Sequence, residues 1–159
     1  MNAYIICDSR SGNAGRVADS IASGLKIKFG VEISSLEEAS AEKVKYAGIV
    51  GLGSEIYFNK HSRGLIAYVR ELLILSGKPI FIFSTSVRGS EEPHRALRRT
   101  LEEKGARIIG EFASKAFDDS GLLKLFGGIN KGRPDSDDLV KAKEFGFKLY
   151  TLYNSFLPR

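Results

Sequence analysis

Cysteine is nearly absent from this 159-residue chain, in which Cys7 is the single example. One cysteine cannot form an intramolecular disulfide and is too little for a metal framework, so we expect no metal site. Because Cys7 lies inside a short apolar segment, we expect a buried and unreactive thiol. A chain without structural disulfides is typical of a reducing compartment, and this favours a cytoplasmic protein.

Long hydrophobic runs are missing as well. No apolar stretch approaches the ~20 residues that a transmembrane helix requires. The first residues also lack the charged region and longer apolar region of a signal peptide. We therefore expect no transmembrane segment, and peripheral membrane contact is a less favoured alternative.

Positive charge is in excess but is not concentrated. The formal net charge is +5 and the calculated pI is about 9.3. A nucleic-acid platform would interleave aromatic side chains with basic ones, and the densest basic group has no such residues and is interrupted by glutamates. We therefore interpret it as a solvated helix face and expect no nucleic-acid partner. The group comprises Arg95, Arg98, Arg99, Lys104 and Arg107.

The hydrophobic pattern alternates between strands and helices along the whole chain. Strands such as 3–7 are apolar and are predicted to be buried, while 31–35 alternates with polar residues like an edge strand. Because helical patterns separate the strands, we expect an α/β fold with one doubly wound, five-stranded parallel sheet and helices on both faces. The length predicts a single domain, residues 1–159. The predicted strands are 3–7, 31–35, 46–52, 79–83 and 107–117, and the predicted helices are 14–29, 36–44, 62–76, 93–104 and 135–153.

Three polar loops follow the first, third and fourth predicted strands, at 9–14, 53–60 and 84–89. The carboxyl ends of parallel strands share one edge of a sheet, which is where such sheets bind ligands. Gly12 lets the backbone approach a phosphate, and the following helix directs its positive end at the loop. The loop has neither the spaced glycines of a dinucleotide site nor a Walker lysine. We predict a mononucleotide site, the alternative being a tight turn in which Ser11 or Asn13 caps the helix.

The residues of the first loop, Ser-Arg-Ser-Gly-Asn-Ala at 9–14, resemble the phosphate loop of the flavodoxins. That loop usually reads hydroxyl-X-Thr-Gly-Asn-Thr/Ala, and serine here keeps the hydroxyl where threonine is common. The other two loops match mainly by position, and residues 132–135 resemble a segment that precedes the last helix in this wider group. The resemblance implies strand order 2-1-3-4-5 and non-covalently bound flavin mononucleotide (FMN).

The resemblance also implies which residues hold FMN. The phosphate is expected on the first loop, and the ring between the second and third loops. Tyr57 is the expected stacking residue, the alternative being an exposed loop aromatic. The third loop lacks the tyrosine of many flavodoxins, and Val87 with backbone groups is expected to replace it. The implied cofactor-binding residues are Ser9, Arg10, Ser11, Gly12, Asn13, Ala14, Ser54, Glu55, Ile56, Tyr57, Ser84, Thr85, Ser86, Val87, Arg88 and Gly89.

By this resemblance the expected function is a carrier of electrons between redox proteins, with no catalytic residues of its own. The basic residues expected at the rim of the site favour partners with acidic surfaces. They are Arg10, Lys60, His61, Arg63, Arg88 and His94, set against Glu55, Glu91 and Glu92.

An FMN-dependent oxidoreductase is the alternative. Residues 54–61 and 65–73 also resemble the menaquinone-dependent protoporphyrinogen oxidases, which implies a quinone or porphyrinogen-like substrate. The apolar cluster 122–129 could then be a docking lip, although we expect it to pack on the domain. We expect His61 and His94 to be surface or helix-start residues rather than proton relays. A flavin-free binding module is disfavoured, because the phosphate loop is intact.

Overall fold

A computed structural model of the chain describes residues 1–73 and 75–156. Five parallel strands form its sheet in the order β2-β1-β3-β5-β6, which confirms the expected order 2-1-3-4-5 once a short additional strand is numbered. That strand, β4, pairs antiparallel with β3 alone. The strands are β1 (Asn2–Asp8), β2 (Gly30–Ser35), β3 (Ile49–Tyr57), β4 (Lys60–His61), β5 (Pro79–Ser86) and β6 (Arg107–Lys115).

Helices cover both faces of the sheet, as the apolar strands predict. Helices α1 (Asn13–Leu25) and α5 (Ser136–Phe156) pack on one face, and α2 (Ala41–Tyr46), α3 (Arg63–Glu71) and α4 (Arg95–Glu103) on the other. Two 3-10 turns, Glu92–His94 and Gly121–Phe126, complete the regular structure. No helix in the described part of the chain is long and apolar enough to cross a membrane.

Alternating side chains of the central strands β1, β3 and β5 enter two separate cores. In β1, Ile5 contributes to the core beneath α1 and α5, while Ile6 contributes to the core beneath α2, α3 and α4. Glycine in β3 makes room for the neighbouring strand, since a Cβ at Gly53 would lie 2.3 Å from the Phe83 ring. The predicted burial of Cys7 is confirmed. Burial, with the nearby carboxylates, raises the pKa of its thiol to about 12.

The start of α5 is fixed by a reciprocal pair of aspartates. The Asp138 backbone N–H donates to Asp135 Oδ1 at 3.0 Å, and the Asp135 N–H donates to Asp138 Oδ2 at 3.0 Å. This is a capping box, in which each side chain satisfies a backbone donor that the helix leaves free. Asp135 therefore caps the N-terminus of α5.

Several predicted boundaries are wrong. The segment 53–57 continues β3, because residues as far as Glu55 pair with β5 and a tight turn at Phe58 and Asn59 leads into β4. Helix α3 ends at Glu71, short of the predicted end at residue 76, and Leu73 within the predicted range is 87% exposed. Ile74, which lies within the predicted helix 62–76, is outside the described residues.

The apolar cluster 122–129 does not pack on the domain as expected. Leu122, Leu125 and Phe126 are 76%, 77% and 84% exposed. Backbone hydrogen bonds in both directions between Asp118 and Ile129 close the base of this segment. The enclosed 3-10 turn is thereby carried outward from the sheet edge, a long-range arrangement that the local hydrophobicity did not indicate.

Candidate functional site

Two adjoining cavities lie at the carboxyl edge of the sheet, where the three polar segments meet. The first has a volume of about 330 Å3 and is lined by residues of all three, including Ser11, Tyr57 and Thr85. The second, of about 590 Å3, shares Tyr57 and Val87 with it. Together they fall in the size range of small-molecule sites. The sheet thus brings the three sequence-predicted segments to one place.

The first loop is shaped by Gly12, whose φ of 88° lies in the left-handed region. Gly12 is the N-cap of α1 and has no side chain to cap it. Ser11 Oγ instead accepts the Asn13 N–H at 3.3 Å, and Ser9 Oγ accepts the Gly15 N–H at 3.0 Å. Of the predicted caps, Ser11 therefore plays a local part, while Asn13 Nδ2 turns away to donate to the Phe117 carbonyl at 3.2 Å.

A carboxylate from β3 lies in this loop. Glu55 Oε1 accepts the Ser11 N–H at 2.9 Å and the Ser9 hydroxyl at 3.2 Å, and the Ser11 hydroxyl also donates to it. Glu55 Oε2 accepts the Arg10 N–H at 3.1 Å and the Tyr57 hydroxyl at 2.8 Å. Five donors from four residues converge on one side chain that is only 6% exposed.

The loop stabilises the charged form of that carboxylate. Burial raises the pKa of Glu55, but hydrogen bonds from Ser11, Tyr57 and Arg10 outweigh it, and the net pKa is lowered. Burial and the neighbouring Glu55 charge raise the pKa of Tyr57 to about 12, so its hydroxyl stays protonated and donating. Charge-assisted hydrogen bonds beside a helix N-terminus account for this preference.

The donor set therefore suits an anion, which is what a phosphate-bearing ligand would present. A second polar group supports this interpretation. Thr85 lines the smaller cavity, and its buried Oγ1 has no hydrogen-bond partner among the described residues. The residue is only 1% exposed. A buried hydroxyl without a partner is costly unless a ligand satisfies it. The residues fit a phosphorylated, hydroxyl-bearing ligand, provided that Glu55 leaves the loop.

Most of the remaining predicted site residues lie at the cavities, but Ala14, Ser54 and Ser84 do not. Ile56, Tyr57, Ser86, Val87 and Arg88 line the larger cavity, and Gly89 closes the third loop through its N–H bond to Ser86 Oγ at 2.9 Å. Ala14 is buried in the core beneath α1. Ser54 and Ser84 point to the opposite face of the sheet, because side chains alternate along a strand.

The prediction for the two histidines is correct about their place in the chain and wrong about their exposure. His94 is the N-cap of α4, and His61 directly precedes Ser62, the N-cap of α3. His61 and His94 are 3% and 0% exposed, so neither is a surface residue or part of the charged rim. Their ring centroids lie 5.1 Å apart beneath the ends of β3 and β5. His61 Nδ1 lies 2.8 Å from Ser54 Oγ, and His94 Nε2 lies 2.7 Å from Ser84 Oγ. Only the sheet register, which aligns Ser54 with Ser84, brings these pairs together.

His94 belongs to a chain of polar contacts that sequence spacing did not reveal. Its Nδ1 lies 3.1 Å from Glu111 Oε2, and Arg98 binds both oxygens of that carboxylate. Since the carboxylate only accepts, Nδ1 carries the proton and Nε2 accepts the Ser84 hydroxyl. The order serine–histidine–carboxylate resembles a nucleophilic triad, but Ser84 is fully buried. We therefore interpret these contacts as structural, since they connect β5, the start of α4 and β6.

His61 is held neutral. Burial, and secondarily the neighbouring His94, lower its pKa to about 3. Ser54 Oγ accepts the Ser62 N–H at 3.1 Å and donates to the Glu55 carbonyl at 3.0 Å. The imidazole proton then lies on Nδ1, facing Ser54. Nε2 is a buried lone pair without a partner in the described part of the chain.

Comparisons with known proteins give a consistent result. A family model described as "Flavodoxin domain" matches residues 4–129. An uncharacterized protein of Methanocaldococcus jannaschii is 36% identical over 135 residues, covering 84% of this chain and 87% of that protein.

Solved structures show the same fold. A flavodoxin from the domain Archaea has a TM-score of 0.69 at 19% identity, covering 97% of this chain and 99% of that one. Flavodoxin 2 from Bacillus cereus has a TM-score of 0.69 at 20% identity, covering 99% and 100%.

Proposed function

The chain belongs to the flavodoxin family, and we propose that it binds FMN in the two adjoining cavities and passes electrons between redox proteins. The observation that carries the proposal is the convergence of the first-loop donors on an anion beside the unpartnered hydroxyl of Thr85. When bound, the flavin supplies the redox chemistry, and the protein supplies binding, orientation and electrostatics.

Each part of the site has a task under this proposal. The Arg10 and Ser11 N–H groups, with the Ser9 and Ser11 hydroxyls, bind the phosphate in place of Glu55. Thr85 Oγ1 donates to a polyol hydroxyl within the smaller cavity. Tyr57, which is 40% exposed between the cavities, supplies a flat apolar surface for the ring. The larger cavity, lined by Val87, receives the ring edge and leaves it close to the surface.

We propose partners with acidic surfaces. Arg10, Lys60, Arg63 and Arg88 are exposed, and Arg88 lines the larger cavity. Basic residues beside an exposed redox centre raise the association rate of acidic partners, and salt screens this effect. The rate of electron exchange should therefore fall as ionic strength rises, and a rate independent of salt would contradict this choice of partner.

A second function has one observation in its favour. The exposed 3-10 turn Gly121–Phe126 directly follows Asp119 and Ser120, which line the smaller cavity. An exposed apolar surface next to a binding cavity suits an apolar substrate, such as a quinone or a porphyrinogen-like compound. The alternative is therefore an FMN-dependent oxidoreductase acting on such a substrate.

Substitution of Gly12 tests the cofactor site. We expect the purified protein to be yellow and to release FMN on denaturation, and Gly12→Val to lose FMN. Valine at a left-handed φ is strained, and the moved backbone would misalign the loop N–H groups. Gly77→Val is the matched control, since Gly77 also has a left-handed φ, of 68°, in a turn before β5.

The control separates loss of the loop geometry from loss of stability. Among the described residues nothing lies within 4 Å of a Cβ at either glycine, so both substitutions act through backbone strain. We expect Gly77→Val to keep one FMN per chain. Colourless wild-type protein that takes up no added flavin would contradict the proposal.

Carrier and enzyme are distinguished by turnover. Electron exchange with a ferredoxin, without steady-state turnover of quinone or porphyrinogen, is the result expected of a carrier. Catalytic turnover of either compound, lost when Phe126 is changed to serine, would favour the oxidoreductase instead.

A further inference from the structure

We propose that Glu55 is a built-in competitor that must leave the phosphate loop before a phosphorylated ligand can bind. The inference rests on the proposed function, because it concerns access to the same site. It makes Glu55 a specificity-determining residue, one that discriminates against the phosphate end of the ligand and leaves the ring end unaffected.

The competition is for specific hydrogen atoms. The N–H groups of Arg10 and Ser11 and the hydroxyls of Ser9 and Ser11 all donate to the Glu55 carboxylate. These are the groups that a phosphate in this loop would need. Each N–H and O–H supplies one proton, so the loop cannot serve two anions at full strength.

Charge makes the exclusion stronger than shared donors alone. The pKa of Glu55 is lowered, so the residue is ionised at neutral pH. A phosphate monoester carries between one and two negative charges at that pH. Two anions in one partly buried loop repel each other, and Glu55 must be displaced or protonated.

Tyr57 helps to hold the Glu55 carboxylate in the first loop. Its hydroxyl donates to Glu55 Oε2 at 2.8 Å, and it also lies between the two cavities. This hydroxyl is one of the five donors that hold Glu55, and it is the only one of them outside the first loop. Loss of this donor should therefore weaken the hold on Glu55 without removing any group that the phosphate needs.

The test uses three probes on wild-type protein stripped of any bound flavin and on Glu55→Gln. Inorganic phosphate is titrated while the Ser11 and Gly12 N–H signals are followed by NMR. FMN and riboflavin are titrated by quenching of flavin fluorescence. Glutamine keeps the size of the side chain and removes its charge, and Asp119→Asn, in the same cavity, controls for the general loss of one negative charge.

We expect Glu55→Gln to bind phosphate and FMN at least about tenfold more tightly than wild type, a change of ~1.4 kcal/mol. Riboflavin affinity should change by less than about twofold, because riboflavin has no phosphate to compete with Glu55. Asp119→Asn should give the smaller effect of a charge outside the loop. Tyr57→Phe should also increase phosphate affinity, because it removes the Tyr57 hydroxyl that donates to Glu55 Oε2.

The two proposals fail in different ways. Equal phosphate affinity in wild type and Glu55→Gln would overturn the competitor role, as would an equal gain for riboflavin or an equal effect of Asp119→Asn. Failure of every variant to bind either flavin, with phosphate still bound more tightly by Glu55→Gln, would overturn the flavin function and support the competitor role.

Discussion

Stability should fall as the pH is lowered from 7.5 to 5.0, chiefly because of His61. Its pKa is about 3 in the folded protein and about 6.5 when the group is exposed to water. Between these values the unfolded chain binds a proton that the folded protein does not, so acid favours unfolding. Each unit by which the pH falls within this window lowers the free energy of unfolding by ~1.4 kcal/mol.

The magnitude at pH 5 does not depend on the precise folded value. Any folded pKa well below 5 leaves the imidazole neutral there, and the loss is set by the distance of the pH from 6.5. That distance of about 1.5 units corresponds to a loss of about 2 kcal/mol relative to pH 7.5. Neighbouring carboxylates with lowered pKa values, such as Glu55 and Glu111, lose their contributions at lower pH. Burial raises the pKa of Glu91, so its protonation in the folded protein offsets part of the loss near pH 5, equally in wild type and in a His61 variant.

The assay is urea-induced unfolding at pH 7.5, 6.5, 5.5 and 5.0 at constant ionic strength, for wild type and His61→Asn. Asparagine can donate to Ser54 Oγ from about the position of His61 Nδ1, but it does not titrate. The variant should be less stable at pH 7.5, because it packs less volume, and its stability should fall less with acid. The pH dependence that remains in the variant reports on His94, whose pKa burial also lowers, and on Glu91, whose pKa burial raises. An equal fall in both proteins, or none in wild type, would refute the reasoning.

Two further predictions concern helix α5 and its packing. Gly24→Ala should destabilise the fold by roughly 1–3 kcal/mol in urea unfolding, because its Cβ would lie 2.1 Å from the Lys143 carbonyl oxygen; a neutral result would mean that α1 and α5 can move apart freely. Asp135→Ala should cost about 1 kcal/mol through loss of its half of the capping box, measured by thermal unfolding, whereas Asp137→Ala, in the same first turn, should cost less; the reverse order would contradict the assignment of the cap.

The sequence predicted the elements that local patterns control. Continuous apolar segments such as 3–7 indicate strands buried on both faces, and the helical spacing of Val17 and Ile21 indicates a helix that packs on the sheet. Gly12 and the serines beside it indicate an anion-binding turn. Each of these patterns spans only a few residues, so it can be interpreted without knowing which strands are neighbours in the sheet.

The errors arise where distant residues decide the outcome. The extension of β3 to Tyr57 depends on pairing with β4 and β5, and the burial of His61 depends on that hairpin. The apolar turn at Leu125 is exposed because Asp118 and Ile129 pair at its base. β5 lies more than twenty residues beyond the end of β3, and Ile129 lies eleven residues beyond Asp118. Local hydrophobicity carries no information about such partners, so it indicated the wrong environment in each case.

The sequence by itself determined the doubly wound sheet, the three polar segments at its carboxyl edge and the glycine-bearing loop at the start of α1, because each follows from local spacing and residue type. Only the tertiary structure decided what those groups contact. The register of β1, β3 and β5 places Glu55 against the first loop, while Ser54 and Ser84 reach His61 and His94 on the other face. Side chains alternate along a strand, so neighbouring residues of β3 face opposite sides of the sheet: Glu55 accepts the donors of the first loop, and Ser54 contacts His61.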